Sequence, residues 1–465
     1  MKPQQQSERE IWHVIVFSHD GTEVLLRIAE SGFAFPAVEI PCWERLAENL
    51  TGALKKDWGC DAFCLFALND SSREDHSNGD PYGVMQCWNE VERTAKTVWK
   101  PLRSLTADSF QDKATFQTLG QCLHELDRYE RDPSSPFAQR GWIMRLVGWA
   151  ADLIRPLGLE IGSSIRQYNA SPSFSLIRLE TNGPAVWFKA VGEPNLREFP
   201  ITLKLAELFP RFIPEILGTK PEWCAWLARE IEGTNLGDRK ELAWWEKAAT
   251  GLASLQIESI SKSDSILDSG AHDLRIDKLL NSVDPFLDLV ARLMEEQPKE
   301  PPPTLSRQEL GLLKLRIGDS LARLEDLRVP HTLGHLDLNP WNIVVSAGGC
   351  VFLDWSEAYV GHPFFSLEYL LQHFRRELSA DAVLESELVN AYKAPWRRLL
   401  SEQLMSEALA LAPLAALFAY AAGAGTSKDE ERLRNPRMRA YFRSLARRMN
   451  REAIRFIEPR SACLS

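Results

Sequence analysis

The stretch His335-Leu336-Asp337-Leu338-Asn339-Pro340-Trp341-Asn342, followed by the apolar run Val351-Phe352-Leu353 and then Asp354, decides how the rest of the chain is read. Asp337 sits in a loop-like segment ahead of a proline and a short apolar strand, which leaves its carboxylate free to accept a proton from a hydroxyl. Asn342 offers a neutral oxygen donor a few residues later. A strand over 351–353 would deliver the Asp354 carboxylate to the same place. A proton acceptor, an amide oxygen and a second carboxylate suit Mg²⁺-assisted phosphoryl transfer, which also needs a cation on the phosphate oxygens.

Working outward, Asn182-Gly183 reads as the turn of a hairpin between strands over Ser173 to Glu180 and Ala185 to Val191. Val186-Trp187-Phe188-Lys189 places a lysine on the second of these strands among apolar neighbours. Glu198, ahead of Leu203, Ala206 and Leu208, stands at a helix entrance, since Pro200 tolerates only a first-turn position. A surface lysine and a solvated helix-start glutamate are the plain alternatives for these two residues. From Leu236 onward helical patterns dominate, interrupted by Pro298 to Pro303 and by short strands around Asn342 to Val345 and Cys350 to Leu353.

His335-x-Asp337-x-x-x-x-Asn342, a hairpin and then Asp354-Trp355 together resemble the aminoglycoside phosphotransferase and choline kinase branch of the protein-kinase-like fold. The resemblance covers about Gly141 to Arg455. It implies Asp337 as catalytic base, with His335 beside it bracing the loop, and Asn342 and Asp354 as Mg²⁺ ligands. It further implies Lys189 paired with Glu198, and a lobe-connecting hinge at Trp226-Leu227-Ala228-Arg229-Glu230-Ile231-Glu232-Gly233. At that hinge Arg229 and Ile231 would meet the base of ATP or GTP. Gly361-His362-Pro363 resembles the family's Gly-Asp-Pro stretch, with His362 and Ser366 standing where two acids are common. The segment Asn169-Ala170-Ser171-Pro172-Ser173 occupies the place of the phosphate-covering loop without a glycine.

Ahead of this, a strand, hairpin, strand, helix and strand order over Ile11 to Leu68 resembles a Nudix hydrolase in the run Phe35-Pro36-Ala37-Val38-Glu39, then Glu44 and Gly59. In that register the positions for the metal-binding glutamates hold Lys56-Asp57, so pyrophosphate cleavage is not expected. An unrelated small α/β domain is the alternative. Asn69 to Pro81 reads as an exposed loop and Arg131 to Pro136 as a linker.

The totals bound these readings. Net charge is −10, which offers no general attraction to nucleic acid or anionic membranes. A hydrophobic fraction of 45% and a charged fraction of 25% fit a folded globular protein. The first residues lack the pattern of a secretion signal, and no stretch reads as long and apolar enough to span a bilayer; Leu404 to Ala422 suits a buried helix better. Eight scattered cysteines without CxxC pairs favour buried thiols, a cytoplasmic setting and no zinc. Most of the 15 tryptophans are expected in the core, and at least one of Trp244 and Trp245 between helices. The arginines of 432–455 read as a solvated helix face or, if turned inward, as a preference for a neutral or anionic acceptor.

The expected fold is therefore α+β: a Nudix-like domain over 1–130, a strand-rich kinase-like lobe with its hinge over 131–235, and a helical lobe over 236–465. The expected activity is transfer of the γ-phosphate of ATP or GTP to a hydroxyl of a small molecule, with Mg²⁺ and without nucleic-acid or membrane partners. A catalytically silent nucleotide-binding scaffold is the competing reading. Residual pyrophosphate hydrolysis by the first domain is a third.

Overall fold

Val14, Ile15, Val16 and Phe17 are all fully buried, the mark of a strand covered on both faces. In the computed structural model, which describes residues 9–42, 45–68, 80–88, 96–378, 381–423 and 433–455, they belong to β1 (Arg9–Phe17). Around it lie β2 (Glu23–Ala29), β3 (Gly32–Ala34), β4 (Ala37–Pro41), α1 (Leu46–Trp58), β5 (Ala62–Leu68), β6 (Tyr82–Cys87) and β7 (Thr97–Pro101). The seven strands form one mixed sheet in which β1 runs parallel to β6 and antiparallel to β2 and β4. Alternate side chains enter two cores. Trp12, Val14 and Val16 pack with Ala47, Leu50 and Leu54 of α1, whereas Ile15 and Phe17 face α2 (Lys113–Glu130) through Leu119, Cys122 and Leu126.

The second core does not stop at the expected linker. It continues through Phe137 into α3 (Trp142–Ile154) and then into a five-stranded antiparallel sheet, supplying Ile177, Leu179, Val186, Phe188 and Leu227 from that sheet. Those strands are β8 (Ile161–Ser171), β9 (Phe174–Thr181), β10 (Val186–Ala190), β11 (Ile216–Lys220) and β12 (Ala225–Arg229), with α4 (Glu198–Leu208) between β10 and β11. Residues 1–199 and 215–230 accordingly make one compact unit, and the boundary expected at 130/131 falls inside it.

Two buried glutamines stitch this unit together. Gln167 of β8, only 2% exposed, accepts from the Cys64 N–H at 2.8 Å and donates to the Cys64 carbonyl at 2.9 Å, pairing with β5 as a strand backbone would. Gln86 donates to the His19 carbonyl and accepts from the Gly141 N–H. Gly59, aligned above with a Nudix glycine, has φ 66° and caps α1 through its N–H to the Lys55 carbonyl, the ordinary helix-stop use of a glycine. Lys56 and Asp57 are exposed there, and Glu44 and most of the loop expected over Asn69 to Pro81 lie outside the described residues.

The second unit, residues 200–214 and 231–465, is mostly helical. Its elements are β13 (Thr234–Asn235), α5 (Leu242–Ser259), α6 (Ser263–Asp268), β14 (His272–Leu274), α7 (Ile276–Leu280), α8 (Val283–Glu295), α9 (Arg307–Asp326) and β15 (Thr332–His335). They are followed by β16 (Ile343–Ser346), β17 (Gly349–Phe352), β18 (Ala358–Gly361), α10 (Phe364–Glu377), α11 (Ala382–Trp396), α12 (Glu402–Gly423) and α13 (Pro436–Arg455). Two three-stranded sheets, β13-β16-β17 and β14-β18-β15, carry the loops of interest. Trp245 is fully buried against Phe374, and Trp244 is half-buried.

One expectation is corrected here. The 22-residue α12 contains an 18-residue window with a mean hydropathy of 1.6, so it is long and apolar enough to cross a membrane by length and composition. Its apolar residues, Leu411, Leu414, Leu417 and Phe418 among them, pack instead into the core of this unit.

Candidate active site

Asp337 follows β15 and is exposed, yet its carboxylate is not free to turn. Asn339 donates to Oδ1 at 3.1 Å, and Asn342 donates to Oδ2 at 3.3 Å and to the Asp337 carbonyl at 3.0 Å. The hydrogen bonds use the Asn342 amide nitrogen, which leaves its Oδ1 for another partner. The Asn342 backbone carbonyl accepts from Leu353 N–H at 2.8 Å, which ties this loop to the end of β17, one residue before Asp354.

Asp354 has φ 61° and ψ 64°, a left-handed conformation uncommon for a residue with a side chain. The neighbourhood holds it there: Leu353 N–H is bonded to Asn342, and the Trp355 indole donates to the Phe352 carbonyl at 3.1 Å. Among the described residues no group of three or more His, Cys, Asp or Glu could hold a metal by itself. One carboxylate and one amide oxygen match Mg²⁺, a hard cation that takes few protein ligands and fills its shell with water and phosphate.

The loop is braced from beneath. His335 is fully buried; its Nδ1 accepts from the Asp337 N–H at 3.1 Å, which directs Nε2–H to the Leu353 carbonyl at 3.0 Å. Burial lowers its pKa, so the ring is neutral with both nitrogens engaged, a support and not a proton carrier. Ser366 supports the loop without a charge: its Oγ accepts from the His335 N–H at 3.0 Å and lies 2.9 Å from the Tyr359 hydroxyl. His362, also buried, accepts at Nδ1 from the Phe364 N–H, and its Nε2 has no hydrogen-bond partner among the described residues.

Burial pushes His362 down from its ordinary 6.5 to about 3. The unfolded chain takes up a proton as pH falls through 6.5, whereas the folded one does not until about 3, so stability is lost with falling pH across that window. The loss approaches about 1.4 kcal/mol per pH unit. Thermal denaturation between about pH 4 and 6 is expected to show a shallower decline in His362→Asn than in the wild type; equal slopes would remove His362 from the account.

In the first unit, Lys189 of β10 and Glu198 at the start of α4 are brought together, Nζ to Oε1 at 2.5 Å. Glu198 is 2% exposed and the Lys189 ammonium lies over the Trp226 ring, so neither residue is the solvated surface group of the plain alternative. At the hinge, Arg229 spends its N–H on the Glu215 carbonyl and its guanidinium on the Glu215 carboxylate, and Glu230 N–H bonds to Ala185. Ile231 N–H has no partner of this kind among the described residues. The turn between β8 and β9 is reduced to Pro172-Ser173, and Gly192 is the residue that makes room for it, since a Cβ there would lie 2.3 Å from Ser173 Oγ.

Residues 197–400 match the model of the phosphotransferase enzyme family. This phosphotransferase-matching segment contains Glu198, Arg229, Ile231, His335, Asp337, Asn342 and Asp354, and ends short of Lys189 on its N-terminal side. Among solved structures, the macrolide 2'-phosphotransferase of Brachybacterium faecium is 16% identical, covering 65% of this chain and 98% of its own at a TM-score of 0.45. A choline kinase from Cryptosporidium parvum is 12% identical, covering 68% and 95% at a TM-score of 0.47. The choline kinase of Streptococcus pneumoniae is 14% identical, covering 67% and 99% at a TM-score of 0.43. No match is found among curated proteins.

Several supports of the segment that matches the phosphotransferase model carry no sequence signal. Asn339, whose amide holds Asp337, and Tyr359, which meets Ser366, stand in no pattern that marks them. The arginines of α13 divide: Arg437, Arg451 and Arg455 are exposed, as a solvated face requires, whereas four others are spent on neighbours. Arg439 pairs with Glu296, Arg443 donates to the Leu293 carbonyl, Arg447 to the Pro303 carbonyl and Gln297, and Arg448 to Gln372. Glu368 is likewise spent, buried against Arg375.

Proposed function

We propose that the chain is a nucleotide-dependent phosphotransferase that moves the γ-phosphate of ATP or GTP to a hydroxyl of a small molecule such as a sugar, an amino alcohol or a related metabolite. The observation that carries this reading is an exposed Asp337 carboxylate clamped by two amides, in a loop hydrogen-bonded to Leu353, the residue between the end of β17 and Asp354. Asp337 accepts the proton of the acceptor hydroxyl and aims its oxygen at the γ-phosphorus. The new O–P bond forms as the bond to the β-phosphate oxygen breaks, and the nucleoside diphosphate leaves.

Mg²⁺, held through Asn342 Oδ1 and Asp354, would neutralise charge on the phosphate oxygens. Lys189, fixed by Glu198, is the proposed cation for the non-bridging oxygens, and Ile231 N–H the proposed donor to the base. Residues 1–130 are proposed to be a Nudix-like module without hydrolysis, whose contribution is to hold β8 through Gln167.

The test is metal dependence. A non-hydrolysable ATP analogue at about 100 times its dissociation constant is expected to stabilise the wild type by about 2.7 kcal/mol in the presence of Mg²⁺. Asp354→Asn should lose the Mg²⁺-dependent part. Nucleotide stabilisation that ignores Mg²⁺ in the wild type would favour the silent scaffold.

A further inference from the structure

Of the tryptophans among the described residues, Trp341 alone is exposed, by 58%, although it sits inside the loop that carries Asp337 and Asn342. An indole left in water is unfavourable unless something covers it, because the ring offers a large apolar face. Nor is it loosely held. The Trp341 N–H donates to Asn339 Oδ1 at 2.9 Å, and its carbonyl accepts from Asn235 Nδ2 at 2.7 Å. The ring rests on Gly237, where a Cβ would come within 2.7 Å of the ring carbon Cε2. Asn339 therefore fixes both Trp341 and the Asp337 carboxylate. A rigid, exposed aromatic beside a proton acceptor is a preorganised binding surface, which loses little entropy when a ligand covers it.

The direction of the ring selects the ligand. Asn342 turns its amide back to Asp337, and its backbone carbonyl meets Leu353 on the metal side; Trp341 turns the other way, towards the 235–238 turn. The acceptor's hydroxyl belongs on Asp337, so the acceptor's body extends over the indole. We propose that Trp341 is the stacking platform for the acceptor, and that the acceptor is a ring-bearing hydroxyl compound, such as a glycoside, and not a linear amino alcohol. This rests on the phosphotransferase reading of Asp337.

The experiment titrates the full-length protein, in Mg²⁺ and a non-hydrolysable ATP analogue, with methyl β-D-glucopyranoside, salicin and ethanolamine, following tryptophan fluorescence and thermal shift. A ring probe is expected to bind the wild type, with its dissociation constant raised about 10-fold or more in Trp341→Ala. Trp341→Phe should retain most of the affinity, and Gly237→Ala, which pushes the indole off its seat, should lose part of it. The ATP analogue should bind all four proteins alike. No binding by either ring probe, ethanolamine binding that survives Trp341→Ala, or a loss confined to the nucleotide would each overturn the assignment. ADP release that is unaffected by Asp337→Ala would instead refute the phosphotransferase reading, while the titrations still report on the platform.

Discussion

Asp337→Asn is expected to lower kcat by about 10²–10⁴-fold, the usual contribution of a positioned general base, and to leave nucleotide binding within about 2-fold. An asparagine fills the same space between Asn339 and Asn342, but its amide cannot take the hydroxyl proton. Because Asp337 is exposed and its removal orphans no buried charge, the midpoint of thermal unfolding should hardly move. Steady-state rates alongside a melting curve separate the two effects. A fall in rate accompanied by a comparable loss of stability would mean that Asp337 supports the loop without acting in the reaction.

The largest expected effect on stability is at Glu198. Glu198→Ala takes a buried carboxylate away from the Lys189 ammonium and is expected to cost about 1–3 kcal/mol, read from the denaturant midpoint. Lys189, with a side chain only 16% exposed, has little water to turn to once Glu198 is gone. Replacing both residues with apolar ones should recover most of the loss, since two desolvation penalties disappear with the pair. Nucleotide affinity should fall in both variants, because each removes the fixed ammonium or its support. Equal destabilisation in the single and double variants would show that the pair is not the source of the cost.

The contrast between what could and could not be read beforehand has a physical basis. The Lys189–Glu198 pair and the Asp337–Asn342 contact were legible because these polar residues stand within or beside elements whose apolar pattern is visible. The strand β8 left no such trace. Its buried residue is Gln167, and most of the others are exposed or half-buried, so neither hydrophobic alternation nor a continuous apolar run marks it. Ser366 gave no signal because what it does here is accept one backbone N–H, which a hydroxyl does without charge and without any sequence pattern.

The four inward arginines of α13 could not be told from the exposed ones for a related reason. A run of guanidinium groups has the same appearance whether it faces water, an anion or carbonyl oxygens, and here Arg443 and Arg447 found carbonyls. The division into three domains failed to anticipate the continuous core because a linker rich in Asp, Ser and Pro describes the local chain only. Phe137, just beyond it, is fully buried with residues from both sides.

The most direct measurement is ³¹P NMR of the full-length protein with Mg²⁺, ATP or GTP and a panel of hydroxylated ring compounds. A phosphomonoester resonance should grow in step with the nucleoside diphosphate in the wild type and be absent from Asp337→Asn over the same time. A nucleotide that binds in the presence of Mg²⁺ yet yields no phosphomonoester, or a phosphomonoester formed equally by Asp337→Asn, would contradict the account.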